Sequence, residues 1–114
     1  MMEMKETAMM IGKKLSDRKA RDVLVTDISE KSSLADYFVN ATAGSERQLD
    51  ALATDAQDAA AEAGLEIKGV EGRGNSGWML IDLGDIIVNV FTEENREKYA
   101  VDKIWSDCPS VEIQ

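Results

Sequence analysis

The stretch that decides the fold is Gly77–Thr92, with the sequence GWMLIDLGDIIVNVFT, the most apolar run in a chain of 114 residues. Gly84 and Asp85 interrupt the run at its middle, and β-branched residues stand on both sides of the break. Two β-rich segments separated by two turn-forming residues are typical of a β-hairpin. The stretch therefore predicts two antiparallel strands joined by a two-residue turn.

The register of this hairpin divides its side chains between two faces, because successive residues of a strand point in opposite directions. One face is wholly apolar and can enter a core; it carries Met79, Ile81, Leu83, Ile86, Val88 and Val90. The opposite face is mixed and pairs Trp78 with Phe91, Leu80 with Asn89, and Asp82 with Ile87. Large apolar groups beside a carboxylate and an amide suit contact with another protein.

Composition limits the classes of function. The chain has 13 Lys and Arg against 22 Asp and Glu, a net charge of −9. This charge opposes broad binding to nucleic-acid phosphates, so little direct RNA contact is expected, and it suits a basic protein surface. The chain lacks histidine and has a single cysteine, Cys108. Histidine-based catalysis, an internal disulfide and a thiolate metal cluster are therefore excluded.

Length and hydropathy indicate one domain, residues 1–114, in a cytoplasmic protein. Glu3 and Glu6 stand among the first methionines, and Ala8–Ile11 is only four apolar residues long. A secretory signal needs a longer apolar segment, and a membrane span needs about 20 apolar residues. We therefore expect no membrane contact.

Periodicity predicts the other elements. In chain order these are a helix through Met4, Ala8, Ile11 and Leu15, strands at Arg21–Ile28 and Asp36–Thr42, a helix capped by Ser45 and Gln48 and ended by Gly64, a strand at Leu65–Glu71, the hairpin, and a last helix through Val101, Ile104, Trp105 and Cys108, ended by Pro109. The order α-β-β-α-β-β-β-α predicts an α/β (α+β) fold with a mixed sheet and helices mainly on one face.

Ordered motifs run from about Ala20 to Asp107. They are Ser32–Val39 (SSLADYFV), Arg47-Gln48, Glu71-Gly72, Gly77-Trp78, Asp82-x-Gly84-Asp85, Val90-Phe91, Arg96-Glu97-x-Tyr99 and Ile104-Trp105. Together they resemble the ribosomal silencing factor family, also called Iojap-related. The resemblance implies a non-enzymatic factor with a nucleotidyltransferase-like fold that binds a large-subunit ribosomal protein of the L-fourteen type. It also implies that the bound factor blocks joining of the small subunit and lowers translation when nutrients run short. Homodimers and a role in large-subunit biogenesis are implied as well.

Two departures from the family pattern lie on or near the mixed face. Asn89 stands where the family usually has a histidine, and Asn40 and Ala43 occupy positions that are usually aliphatic and glycine. Asn40 also interrupts the apolar run of its strand, so one face of that strand is not expected to be deep core.

The candidate partner-binding residues each have an alternative role. Trp78 would anchor a partner or pack beneath the last helix, while Trp105, on an apolar helical stripe, is expected in the core. Asp82 would pair with a basic partner or with an internal arginine, and turn chemistry explains Asp85 without a metal. Arg96 and Tyr99 would frame the binding face or tie the last helix to the sheet. The full candidate set is Trp78, Leu80, Asp82, Asn89, Phe91, Arg96 and Tyr99, with no catalytic, metal or cofactor residue.

A second hypothesis is a nucleotide-binding enzyme that uses Gly44-Ser45 as a phosphate loop. Such an enzyme needs paired metal-binding carboxylates on a neighbouring strand, and Leu65–Gly69 supplies none. Helix capping explains Ser45 without a ligand. A third hypothesis is a dimeric adaptor that acts only in subunit maturation.

Overall fold

The computed structural model describes residues 3–73, 76–99, 103 and 105–113, with backbone only at Arg73 and Tyr99. Its elements are α1 (Met4–Asp17), β1 (Arg21–Asp27), β2 (Tyr37–Ala43), α2 (Glu46–Glu62), β3 (Gly69–Arg73), β4 (Trp78–Asp82), β5 (Ile86–Thr92), α3 (Glu93–Tyr99) and β6 (Ser110–Ile113). No helix within these residues is both long enough and apolar enough to cross a membrane.

The six strands form one mixed sheet in the order β3-β4-β5-β2-β1-β6. Strands β2 and β5 are parallel, and the other described pairs are antiparallel. The predicted hairpin is confirmed residue for residue, from Trp78 opposite Phe91 to Asp82 opposite Ile87. Gly84 takes a φ of 87° at the first turn position, a conformation that glycine adopts without strain. The mixed sheet predicted from the sequence is confirmed.

Helices α1 and α2 pack together on one face of the sheet, which we call the covered face. The apolar side of the hairpin lies in this core, and Ile81, Val88 and Val90 are each 0% exposed. The buried positions of α2 are two leucines and four alanines, and the small alanine side chains let the helix lie close to the strands. The Ser45 hydroxyl accepts a hydrogen bond from the Gln48 backbone N–H, as predicted, but the Gln48 side chain accepts from Gly44 rather than from Ser45.

The strand predicted at Leu65–Glu71 is wrong at its start. β3 begins at Gly69, which lies opposite Asp82, the last residue of β4. Residues 65–67 extend past the end of β4, so they have no partner strand there. β3 also continues through Gly72 to Arg73, beyond the predicted end at Glu71.

The predicted last helix is wrong at its carboxyl end, because Lys103 is helical but Trp105 to Cys108 are not. α3 follows β5 directly at Glu93, and Trp105 to Asp107 form a turn. The Cys108 N–H donates to the Trp105 carbonyl at 3.0 Å, so this turn presents both apolar side chains without a helix. Val101 and Ile104 lie outside the described residues. After Pro109 the chain forms β6, which pairs with β1 and which the sequence analysis missed because four residues are too few to show a period.

Candidate partner-binding face

The opposite face of the sheet, which we call the open face, carries the mixed side of the hairpin. Its central residues come from three adjacent strands, since β4, β5 and β2 are neighbours. They are Trp78, Leu80 and Asp82 of β4, Ile87, Asn89 and Phe91 of β5, and Phe38, Asn40 and Thr42 of β2. Helices α1 and α2 pack on the other face of the sheet.

Trp78 lies half-buried across the open face. Its ring stacks on Phe91 of the neighbouring strand, with centroids 5.4 Å apart and planes at 24°. Its indole N–H donates a hydrogen bond to Oδ1 of Asn89 at 3.1 Å. The indole is therefore held by two residues of β5. Phe91 lies directly opposite Trp78, and Asn89, two positions earlier, makes a diagonal contact that an antiparallel pair of strands permits.

Asn89 and Phe91 are themselves buried, at 2% and 1% exposure. The structure brings both of them together with Trp78, but it places them beneath the indole rather than at the surface. Asn89 in turn donates through Nδ2 to Oδ1 of Asn40 on β2, at 3.0 Å. Asn40 is also 2% exposed, so the expectation that its face would be less buried is wrong.

Leu80 and Asp82 remain half-exposed on the same strand as Trp78. A cavity of about 220 Å³ opens beside Leu80, lined by Glu71, Gly72, Ser76, Trp78 and Leu80. Asp82 uses Oδ1 to accept the Gly84 N–H at 2.9 Å, which supports the hairpin turn. Within the described ranges Asp82 forms no ion pair, so the alternative of an internal arginine partner is not seen there.

Arg96 serves to tie α3 to the sheet. Its Nη1 donates to the Asp22 carbonyl and, at 3.0 Å, to the hydroxyl of Thr42. These contacts join α3 to β1 and β2 at one end of the open face. Tyr99 ends α3, and its side chain lies outside the described residues.

The other end of the open face has a small apolar cluster of Ile28, Ala35, Phe38 and Cys108. Trp105 is half-buried against it and meets Phe38 edge to face, with ring centroids 5.5 Å apart. Trp105 thus packs against an apolar cluster of the open face, but it is half-buried rather than the core residue expected. Burial raises the pKa of the Cys108 thiol, which favours the neutral form that suits this apolar setting.

The Gly44–Ser45 segment lies at the carboxyl ends of β2 and β5, where a cavity of about 810 Å³ opens. In this type of sheet such an edge is a common place for ligands. Here the Ser45 hydroxyl and the Gly44 N–H are both bonded to Gln48. The lining also carries four carboxylates, which repel phosphate: Glu46, Glu93, Glu94 and Glu97. The part of the chain that the structure describes contains no group of three or more His, Cys, Asp or Glu placed to hold a metal ion.

The sequence analysis missed two parts of this face. It noted Asn40 and Asn89 separately, but their contact depends on the parallel pairing of β2 with β5, which no local pattern encodes. It also omitted Glu71 and Ser76 as lining of the smaller cavity, although Glu71 falls opposite Leu80 once β3 is paired with β4.

Comparison with known proteins identifies the family. The sequence model described as "Ribosomal silencing factor during starvation" matches residues 1–114. The chain belongs to this family. The ribosomal silencing factor RsfS of Halalkalibacterium halodurans is 39% identical to it over 100 residues, covering 88% of this chain and 86% of the relative. RsfS of Bacillus subtilis is 37% identical over 97 residues, covering 85% and 82%.

A solved structure extends the likeness to three dimensions. The crystal structure of a Chromobacterium violaceum protein matches the chain with a TM-score of 0.87 and 35% identity, covering 92% of this chain and 88% of that one. The fold predicted from the sequence and the family resemblance are both confirmed for this ribosomal silencing factor family member.

Proposed function

We propose that this chain binds the large ribosomal subunit through its open face and so prevents the small subunit from joining. The observation that carries the proposal is the row Trp78, Leu80 and Asp82, which presents an aromatic ring, an aliphatic group and a carboxylate on a face that α1 and α2 leave uncovered. All three are half-exposed, and the 220 Å³ cavity lies beside two of them.

Trp78 has the properties of an interface anchor. Interface energy is usually concentrated in a few large side chains, and tryptophan is prominent among them. Stacking on Phe91 and the hydrogen bond to Asn89 hold its ring before any partner arrives. Binding then loses little side-chain freedom at this position, which favours affinity.

Charge favours a basic protein surface over RNA as the main contact. With a net charge of −9 the chain is repelled by phosphates, whereas Asp82 is free of internal ion pairs among the described residues and suits a lysine or arginine of the partner. The proposed partner is a large-subunit ribosomal protein of the L-fourteen type in the cytoplasm. The mechanism is steric: no bond is made or broken, and the factor occupies a surface that the small subunit needs. Homodimer formation and a role in biogenesis stay predictions.

Co-sedimentation with isolated large ribosomal subunits tests the proposal. We expect Trp78→Ala to weaken binding by about tenfold or more, because an anchoring ring is removed. Asp82→Lys should weaken binding by a similar factor, because it places a positive charge against the basic surface of the partner. Asp82→Asn keeps an oxygen that can accept the Gly84 N–H, so any loss of binding in this variant reports the charge alone.

Asp58→Lys is the matched control for charge reversal. Asp58 is exposed on α2, on the other side of the sheet, and its substitution changes the net charge by the same amount. This variant should bind as the parent does. Full co-sedimentation of folded Trp78→Ala and Asp82→Lys would contradict the proposed face. A subunit-joining assay completes the test, since a bound factor that leaves joining unchanged would contradict the steric mechanism.

A further inference from the structure

We propose that Asn40 and Asn89 are positioning residues for Trp78, forming a two-amide relay that fixes the indole in the orientation in which it meets the partner. This inference rests on the proposed function of the open face. The relay runs in one direction: the indole N–H donates to Oδ1 of Asn89, and Nδ2 of Asn89 donates to Oδ1 of Asn40. Three strands thus contribute one residue each to a single chain of hydrogen bonds.

The backbone sets up this relay. Parallel pairing places Asn40 directly beside Asn89, at the same level of β2 and β5, so their amides point from the same face. The antiparallel pairing of β4 places Trp78 opposite Phe91, two residues beyond Asn89. The indole can therefore stack on one neighbour while its N–H reaches the other.

Burial of two amides in this position calls for a reason beyond packing. Asn40 and Asn89 are each 2% exposed, although an apolar pair of similar size would fill the same space without polar groups to satisfy. A buried amide costs free energy unless it is hydrogen-bonded, and replacing both members of a bonded pair with apolar groups is often nearly neutral for stability. What an apolar pair cannot supply is an acceptor for the indole N–H.

Three variants separate positioning from structural support. Asn89→Leu removes the acceptor and leaves the Asn40 oxygen without this donor, so it should lower both stability and binding. Asn40→Leu removes the anchor of the Asn89 amide. The double variant Asn40→Leu/Asn89→Leu removes both amides of their shared hydrogen bond. It should be more stable than Asn89→Leu, while its affinity for the large subunit should stay as low. A merely structural role predicts instead that affinity recovers together with stability.

The indole resonance gives a direct readout of the hydrogen bond. The chain has two tryptophans, so a spectrum of the ¹⁵N-labelled protein has two indole signals, and Trp105→Phe assigns them. We expect the Trp78 indole proton to exchange slowly in the parent. In Asn89→Leu and in the double variant it should move upfield and exchange faster. An unchanged Trp78 signal in both variants would overturn the relay.

Binding of isolated large ribosomal subunits gives the functional readout. Asn89→Leu and the double variant should bind about two- to tenfold more weakly, the range that corresponds to one hydrogen bond. Parent-like binding by a stable double variant with a displaced indole signal would overturn the positioning role while leaving the proposed function intact. Parent-like binding by Trp78→Ala would overturn the proposed function itself, and because it is measured in a separate variant, the two failures are distinguishable.

Discussion

The two faces of the sheet use the same strands for different purposes. On the covered face, alternate residues of β4 and β5 are uniformly apolar and buried, and α2 packs against them. On the open face, the intervening residues combine aromatic, amide and carboxylate groups, and several of these contact one another across the strands. A period of two along one strand therefore separates the residues that hold the fold from those available for recognition.

The largest expected effect contrasts two neighbours in β4. Ile81 is 0% exposed on the covered face, while Leu80 is half-exposed on the open face. We expect Ile81→Ala to lower the free energy of unfolding by about 2–5 kcal/mol, because it leaves a cavity in the core. Leu80→Ala should lower it by about 1 kcal/mol, since less apolar surface is buried there. Urea denaturation measures both, and equal losses would break the distinction between the faces.

For binding, we expect the same two substitutions in β4 to have effects in the opposite order. Leu80→Ala should weaken binding of isolated large subunits by roughly tenfold, the loss expected for a well-packed interface residue. Ile81→Ala, assayed at a temperature where it is still folded, should bind as the parent does because its side chain never reaches the surface. Weaker binding by Ile81→Ala than by Leu80→Ala would place recognition outside the open face.

The smallest expected effect concerns the cavity at Gly44–Ser45. Nucleoside triphosphate with magnesium should leave the thermal unfolding midpoint unchanged. Gln48 already bonds to the Gly44 N–H and to the Ser45 hydroxyl, and the four glutamates that line the cavity repel phosphate. A ligand present at 100 times its dissociation constant would add about 2.7 kcal/mol of stability. A shift of that size would revive the enzyme hypothesis and make the strand ends, rather than the open face, the functional region.

The sequence predicts most of this fold where the signals are local. The hairpin register follows from alternation around Gly84-Asp85, and the start of α2 follows from the Ser45 cap. The errors fall where the structure depends on distant partners. β3 starts at Gly69 because β4 ends opposite it, and β6 exists because β1 has an edge to pair with. Trp105 and Cys108 are spaced as two residues on one side of a helix would be. In the structure, a turn places both side chains against the cluster that contains Phe38.

The candidate site was predictable to the same extent. The alternation of side-chain direction along a strand places Trp78, Leu80 and Asp82 on one face, and in the structure all three are half-exposed there. This pattern does not indicate that Asn89 and Phe91 are buried beneath the ring of Trp78, because the burial of a strand residue depends on what packs over its face. Arg96 had two open roles, and its bonds to Thr42 and the Asp22 carbonyl assign it to the attachment of α3.

The parallel pairing of β2 with β5 has a consequence for the order of folding. The hairpin is closed by a two-residue turn and should form within about 1–10 μs, whereas Asn40 and Asn89 are 49 positions apart and meet only after α2 has crossed between their strands. We therefore expect the hairpin to form before the Asn40–Asn89 hydrogen bond, so that the Asn89 amide beneath Trp78 is anchored only once β2 has paired with β5. In a Trp105→Phe background, stopped-flow fluorescence of Trp78 should follow the slowest refolding phase, and a native signal in the earliest phase would contradict this order. Recognition would then be a property that the chain acquires last.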